Sequence, residues 1–179
     1  MERRICDRDA PGASGELCRI WIVIRVTCFR SLSETDAIVA DVFSSEKRSA
    51  IMSRVRNKDT AAETYVRSSL HRAGFRFRKN EKSLPGSPDV VLPRYKMVIF
   101  VHGCFWHGHS CRRAKLPATN ASTWRSKIEK NIRRDEQSVD RLSSLGWQVE
   151  TIWTCQLKEA TTALIAKLSR QRLEFDCSY

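Results

Sequence analysis

The run His102-Gly103-Cys104-Phe105-Trp106-His107-Gly108-His109-Ser110-Cys111 constrains this chain most, because it holds three of the four histidines and two cysteines in ten residues. Soft and borderline donors at this density suit Zn²⁺, which takes four Cys or His side chains in a tetrahedron. Cys104, His109 and Cys111 supply three, and Cys155, just after Trp153, is the best fourth. A metal closed off by four protein ligands has no position for substrate, so this zinc is expected to be structural. It would clamp an aromatic loop to the strand that ends near Trp153. The competing reading is a set of ordinary buried thiols in a polar loop.

The rest of the cysteine pattern agrees with a metal rather than with cross-links. Seven cysteines are an odd count for a disulfide framework. Acids are scattered through the first sixteen residues, and the apolar run at 20–24 stops at Arg25, so no secretory signal is read. No apolar run approaches the roughly 20 residues of a membrane helix. A reducing, cytoplasmic location without membrane attachment is expected.

At 179 residues the chain is the size of one ordinary domain. Its 32 Lys and Arg stand against 20 Asp and Glu, a net +12, which points to a polyanionic partner, nucleic acid or a membrane surface. The excess lies downstream: residues 1–45 hold six Arg, no Lys and seven acids. That segment, with a loop at 10–15 and a strand or short helix at 21–26, reads as an N-terminal extension, either disordered or the product of a start codon placed too far upstream. The working domain is expected at 46–179.

From residue 45 the pattern sharpens. Ile51, Met52 and Val55 suggest a short basic helix, broken at 57–59. Thr60 and Glu63 make a capping box that opens a helix to Arg72, with Gly74 as its stop. Alternation at 75–78 reads as a half-buried strand. A Pro-Gly-Ser-Pro turn delivers Asp89 to the head of a strand at 90–92, and a second, antiparallel strand is expected at 97–101. A long helix starts at Ser122 or Thr123 and reaches Leu145; a strand at 147–153 and a helix at 160–173 follow. Helices flanking a small mixed sheet give an α/β architecture.

If zinc takes its four ligands, His102 and His107 are left for acid/base work near neutral pH, while His71, among arginines, reads as a surface residue. The apolar stripe of the long helix runs Trp124, Ile128, Ile132, Asp135, Val139, Leu142, so Asp135 takes a core-facing position where an unpaired carboxylate is costly. A histidine N–H is its natural partner; a salt bridge to Arg is the alternative. Asp89 at the mouth of a turn offers a hard oxygen to Mg²⁺, the ion phosphodiester cleavage favours, although Asp is common at turns. Glu63 caps its helix and sits four residues before Arg67, yet shares a face with Val66 and Leu70, so a structural and a functional role both stand.

Phe105 and Trp106 lie in a basic loop, and Trp124 opens a helix containing Arg125, Lys127, Lys130, Arg133 and Arg134. Rings among cations suit DNA, where bases stack or wedge apart on the rings and cations meet phosphates. Packing in the core is the alternative.

Three stretches carry a family resemblance: Ser83-Leu84-Pro85-Gly86-Ser87-Pro88-Asp89, Val98-Ile99-Phe100-Val101-His102-Gly103-Cys104-Phe105-Trp106-His107, and Lys115-Leu116-Pro117-Ala118-Thr119. Together with Asp59-Thr60-Ala61-Ala62-Glu63 and Leu145-Gly146-Trp147 they resemble the very short patch repair (Vsr) DNA mismatch endonucleases, from about Ser49 to Cys155. The resemblance implies a restriction-endonuclease-like core with histidines replacing the customary Glu-x-Lys. It implies Asp89 as Mg²⁺ ligand, His102 and His107 as catalytic histidines, Glu63 and Asp135 as supporting acids, and zinc on Cys104, His109, Cys111 and Cys155. Val101 stands where the family commonly has Thr, and can serve as a metal contact only through its backbone carbonyl. Gly108 stands where another His is frequent.

The expected function is therefore a Mg²⁺-dependent endonuclease that nicks one strand of double-stranded DNA beside a T:G mismatch left by 5-methylcytosine deamination. His107, aimed by Asp135, would activate water, and His102 would assist at the phosphate or the leaving oxygen. Phe105, Trp106 and Trp124, with Met52, would wedge into the duplex while Lys127 meets phosphate. A monomer is expected, with mismatch-repair proteins as candidate partners. The rivals are a non-catalytic zinc module that binds DNA, a restriction-type endonuclease on paired DNA, and a base deaminase, whose His-x-Glu and Pro-Cys-x-x-Cys pattern is missing here.

Overall fold

The computed structural model describes residues 44–56 and 58–176. The elements expected at 10–15 and 21–26 and the break residue Asn57 lie outside them.

Ser44 caps α1 (Ser45–Ser53) by accepting the Lys47 N–H, and Ile51, Met52 and Val55 are exposed on and just after this helix. The chain then turns through Asp59 in the left-handed region, φ 50°. Helix α2 (Ala61–Arg72) begins at the expected capping box: Thr60 Oγ1 accepts from the Glu63 N–H at 3.3 Å, and the Asp59 N–H donates to Glu63 Oε2 at 3.0 Å. One donor that the helix leaves orphaned, the Glu63 N–H, is thereby satisfied, and the amide just before the cap is tied to the same residue.

Four strands form one sheet in the order β1-β2-β3-β4. They are β1 (Arg78–Lys79), β2 (Val90–Leu92), β3 (Met97–His102) and β4 (Gln148–Trp153). The strand expected at 75–78 is corrected: Phe75 is buried and Arg76 exposed as alternation demands, but pairing is confined to Arg78 and Lys79, because β2 offers only Val91 and Val90 opposite them. The reverse turn at 93–96 makes β2 and β3 antiparallel, as expected. β3 and β4 are parallel, and the connection such a pair needs is supplied by α3 (Ala121–Ser144). Helix α3 starts one residue before the expected Ser122: Asn120, at φ 58°, takes the cap position without a side-chain cap, so no capping Ser or Thr marks the start. Helix α4 (Leu157–Asp176) is longer at both ends than expected.

The period of two along the strands sorts the core into two layers. Val90, Leu92, Met97 and Ile99 pack with Val66 and Leu70 of α2 and Leu164 and Leu168 of α4. Val91, Val98 and Phe100 pack with Leu142 of α3 on the opposite face. Helices on both faces of a mixed sheet confirm the α/β reading. Extending the alternation outward from β2 and β3 puts Asp89 and His102 on the α3 side. Because β2 runs against β3, its beginning lies beside the end of β3, and Asp89 meets Val101. Among the described residues no helix is long and apolar enough to cross a membrane.

Candidate active site and metal centre

The carboxyl ends of the parallel strands β3 and β4 gather nearly every residue singled out in the sequence. The strand ends at His102, one residue beyond expectation, and pairs there with Trp153, whose indole meets the His102 ring edge-on at 5.4 Å. His102 is 8% exposed. Its imidazole stacks on that of His107, centroids 3.8 Å apart and planes within 8°. Burial, then the neighbouring His107, lowers the His102 pKa to about 4, so at neutral pH this ring is uncharged and one nitrogen carries a proton it can donate.

His107 is held from α3. Its Nδ1 lies 2.5 Å from Asp135 Oδ2, the contact the helical stripe called for. Between a carboxylate and a ring nitrogen the proton sits on Nδ1, which leaves the Nε2 lone pair free. Asp89 accepts the Val101 N–H on Oδ2 at 2.7 Å, leaving Oδ1 as a hard oxygen donor. Burial pushes its pKa up to about 6 against the Val101 hydrogen bond, with the charge of Glu63 adding and those of Arg67 and His107 opposing. A divalent cation at this carboxylate would relieve that unfavourable buried charge. Val101 thus touches Asp89 through its amide, while its side chain takes no polar part.

Two glycines fix these loops on α3. A Cβ on Gly86, φ 73°, would come within 2.8 Å of Ser138, so the Pro-Gly-Ser-Pro turn can lie on the helix only as glycine. A Cβ on Gly108, φ 66°, would come within 2.6 Å of Ile132 Cδ1. At Gly108 the loop turns so that His107 faces Asp135 and His109 faces the cysteines.

Ligand atoms of Cys104, His109, Cys111 and Cys155 all lie within 4.8 Å of one another, and Cys155 Sγ is 3.6 Å from His109 Nδ1. Tetrahedral zinc with its usual bond lengths needs ligand separations of about 3.3–3.8 Å, so the donor set fits in chemistry and in size. Burial opposes ionisation of Cys104, but hydrogen bonds with Thr154, Cys111 and Cys155 outweigh it and lower its pKa. Cys155, by burial and by the neighbouring Cys104 and Cys111, is pushed up to about 11. Thiolates crowded this closely disfavour one another's charge, and a cation bound among them would offset that.

The structure brings together Asp89, His102, His107 and Asp135. Glu63 remains at the head of α2, 5% exposed, with Thr60 Oγ1 on one oxygen at 2.8 Å and Arg67 Nη2 on the other at 3.4 Å. It acts on Asp89 through its charge. Phe105, Trp106 and Trp124 form a triangle of edge-to-face rings, centroids 5.2, 5.4 and 5.8 Å apart, all half-buried. Lys127 Nζ lies 5.1 Å from the centre of the Trp124 ring. The exposed Met52 stands on α1.

Three contributors escaped the sequence reading. Thr154 bonds the Cys104 amide at 3.4 Å, Asn131 Nδ2 donates to the Trp106 carbonyl at 2.9 Å, and Trp153 packs on both His102 and His109. Asn131 lies one helical turn before Asp135, a spacing that could have flagged it; nothing local marked Thr154.

A family model described as DNA mismatch endonuclease Vsr matches residues 40–113. The chain is 41% identical over 139 residues to the DNA mismatch endonuclease Vsr of Escherichia coli (strain K12), covering 78% of this chain and 89% of that one. It is 46% identical over 121 residues to the type II nicking enzyme V.XorIIP of Xanthomonas oryzae pv. oryzae, 68% of this chain and 89% of that one. For the type II nicking enzyme V.NmeAIP of Neisseria meningitidis serogroup A the identity is 44% over 120 residues, 67% and 86% of the two chains.

The chain belongs to the Vsr DNA mismatch endonuclease family. The expected resemblance is borne out, and this Vsr-family protein is a DNA endonuclease with DNA as its partner. The matched segment carries Asp89, both stacked histidines and three of the four candidate zinc ligands; Asp135 and Cys155 lie beyond it.

Proposed function

We propose that this protein nicks one strand of duplex DNA beside a T:G mismatch, the lesion left by deamination of 5-methylcytosine, in a Mg²⁺-dependent reaction that initiates very short patch repair. The observation that carries the reading is the stacked pair His102 and His107, with His107 held by Asp135 and Asp89 at the adjoining strand end. A DNA-binding module without catalysis has no use for a buried neutral imidazole stacked on one held by a carboxylate. Asp89 and the Val101 carbonyl would hold Mg²⁺, which would supply charge neutralisation at the phosphate.

The chain's own groups do the rest. His107 Nε2 takes a proton from water as Asp135 steadies the imidazolium that forms. His102, neutral because buried, donates an N–H to the phosphate or to the leaving oxygen. Glu63 keeps the head of α2 in place and adds to the negative field at Asp89. The ring triangle of Phe105, Trp106 and Trp124, joined by Met52 from α1, opens the base step at the mismatch, and Lys127 meets a phosphate. Zinc on Cys104, His109, Cys111 and Cys155 holds the loop that carries the rings and His107. The sheet and its carboxylate at a strand end support a restriction-endonuclease-like core. We place the working domain at 46–179, acting as a cytoplasmic monomer, with residues 1–45 as a dispensable extension and repair proteins as further partners.

The test is a panel of T:G duplexes with varied flanking bases, a C:G control, and parallel reactions in EDTA. Nicking of one strand of T:G duplexes alone, abolished by EDTA and restored by Mg²⁺, is expected. Cutting of both strands of the paired control would move the assignment to a restriction-type enzyme.

A further inference from the structure

On the α2 side of the sheet, away from the histidine pair, lies an open cleft of ≈ 420 Å³ lined by Arg67, Ser68, His71, Arg72 and Phe77. Four of the five lie at i, i+1, i+4 and i+5 along α2, hence on one helix face. No acid is among them. Arg67 is 8% exposed, so it belongs to the cleft's inner wall. Its Nη2 is committed to Asp59 and Glu63, but Nη1 is buried with no hydrogen-bond partner. Nη1 is enclosed and out of reach of a ligand in the cleft, so the donors a phosphate could meet there are those of the exposed Ser68, His71 and Arg72. Because Asp59 and Glu63 already share the Arg67 charge, Arg72, exposed at the rim, supplies the free positive charge. Ser68 and His71 add further donors.

Phe77 gives the cleft a second character. It packs on the core formed by α2 and α4 and is only half-buried, so part of its ring surface remains in the cleft. Phosphate donors beside an aromatic surface suit a nucleotide rather than an inorganic anion. The cleft is also within electrostatic reach of the site, since Arg67 lowers the Asp89 pKa.

We propose that this cleft binds a nucleotide unit, with its phosphate on Ser68, His71 and Arg72 and its base or sugar against Phe77, and that the unit belongs to the DNA strand running away from the nicked position. The strand assignment rests on the DNA-nicking reading; the phosphate chemistry does not. The experiment compares wild type, Arg72→Glu, His71→Ala and, as an equal charge change elsewhere, Arg170→Glu of α4. Affinity is measured against salt for a long duplex and for one trimmed closely around the mismatch. In parallel, 5′-dTMP and inorganic phosphate are titrated while the His71 ring resonances are followed.

Arg72→Glu should weaken binding of the long duplex about tenfold and flatten the salt dependence by about one unit of slope, with a smaller loss on the trimmed duplex. His71→Ala should lose less, and 5′-dTMP should shift the His71 resonances more than phosphate does. If Arg170→Glu matched Arg72→Glu, only bulk charge would be at work and the site would be refuted. If 5′-dTMP bound while Arg72→Glu left DNA affinity unchanged, the strand assignment would be overturned in favour of a free nucleotide. These are binding measurements, so a wild-type enzyme that fails to nick T:G duplexes would undo the nicking reading and leave this test readable.

Discussion

His107 and Asp135, twenty-eight residues apart, meet at 2.5 Å across the face where a loop from β3 lies on α3. The carboxylate comes from a rigid helix and the imidazole from a loop, so the helix sets the aim of the base. Asp135→Asn would keep the contact but let the amide donate, moving the ring proton to Nε2. Single-turnover nicking should fall at least about a hundredfold, the usual scale of a lost general base, with DNA affinity unchanged. Nicking within a few fold of wild type would mean that Asp135 only packs.

Cys155 reaches the loop cysteines from the turn after β4, so it joins two parts of the chain that the sequence separates by more than forty residues. Cys155→Ser should lose most of about one equivalent of zinc in metal analysis after gel filtration, and melt at a lower temperature, because metal binding here is folding free energy. Unchanged zinc content would remove Cys155 from the ligand set.

Gly108 is confined by the end atom of Ile132. Gly108→Ala combines left-handed backbone strain with overpacking and should cost about 2–4 kcal/mol in denaturant unfolding. Ile132→Val removes the atom that obstructs the new methyl, so the double variant should lose clearly less than the sum of the single ones. Strict additivity would show that the clash at Ile132 is not what holds the loop.

The ring triangle and Lys127 should separate by the kind of DNA they affect. Opening a base step costs a few kcal/mol, less at a mismatch, so inserted rings favour T:G over paired DNA. Trp106→Ala should lower affinity for mismatched duplex more than for paired duplex in anisotropy titrations, whereas Lys127→Ala should weaken both alike and flatten the salt dependence. Equal losses on both duplexes from Trp106→Ala would assign that ring to packing alone.

Much of the site was legible because its chemistry is concentrated. The loop 102–111 holds the histidines and thiols together in sequence, and the 4, 4, 3, 4, 3 spacing along α3 placed a carboxylate on an apolar stripe where a partner was required. The Thr60 and Glu63 cap was legible because it is local. The short β1 was overread, since alternation reports burial and not pairing, and the length of a strand is set by its neighbour. Thr154 depends on a contact with Cys104, fifty residues away, which no local pattern encodes.

Catalysis depends most directly on Asp89, whose carboxylate meets the end of β3 and is proposed to hold Mg²⁺ at the scissile phosphate. The measurement is single-turnover nicking of a T:G duplex by Asp89→Ala at saturating Mg²⁺, beside its affinity for the same duplex. Binding should stay within a few fold of wild type and nicking fall by at least about a thousandfold, the scale of several kcal/mol of lost charge stabilisation. Nicking near the wild-type rate would contradict this role and place the metal, and with it the reaction centre, elsewhere in the molecule.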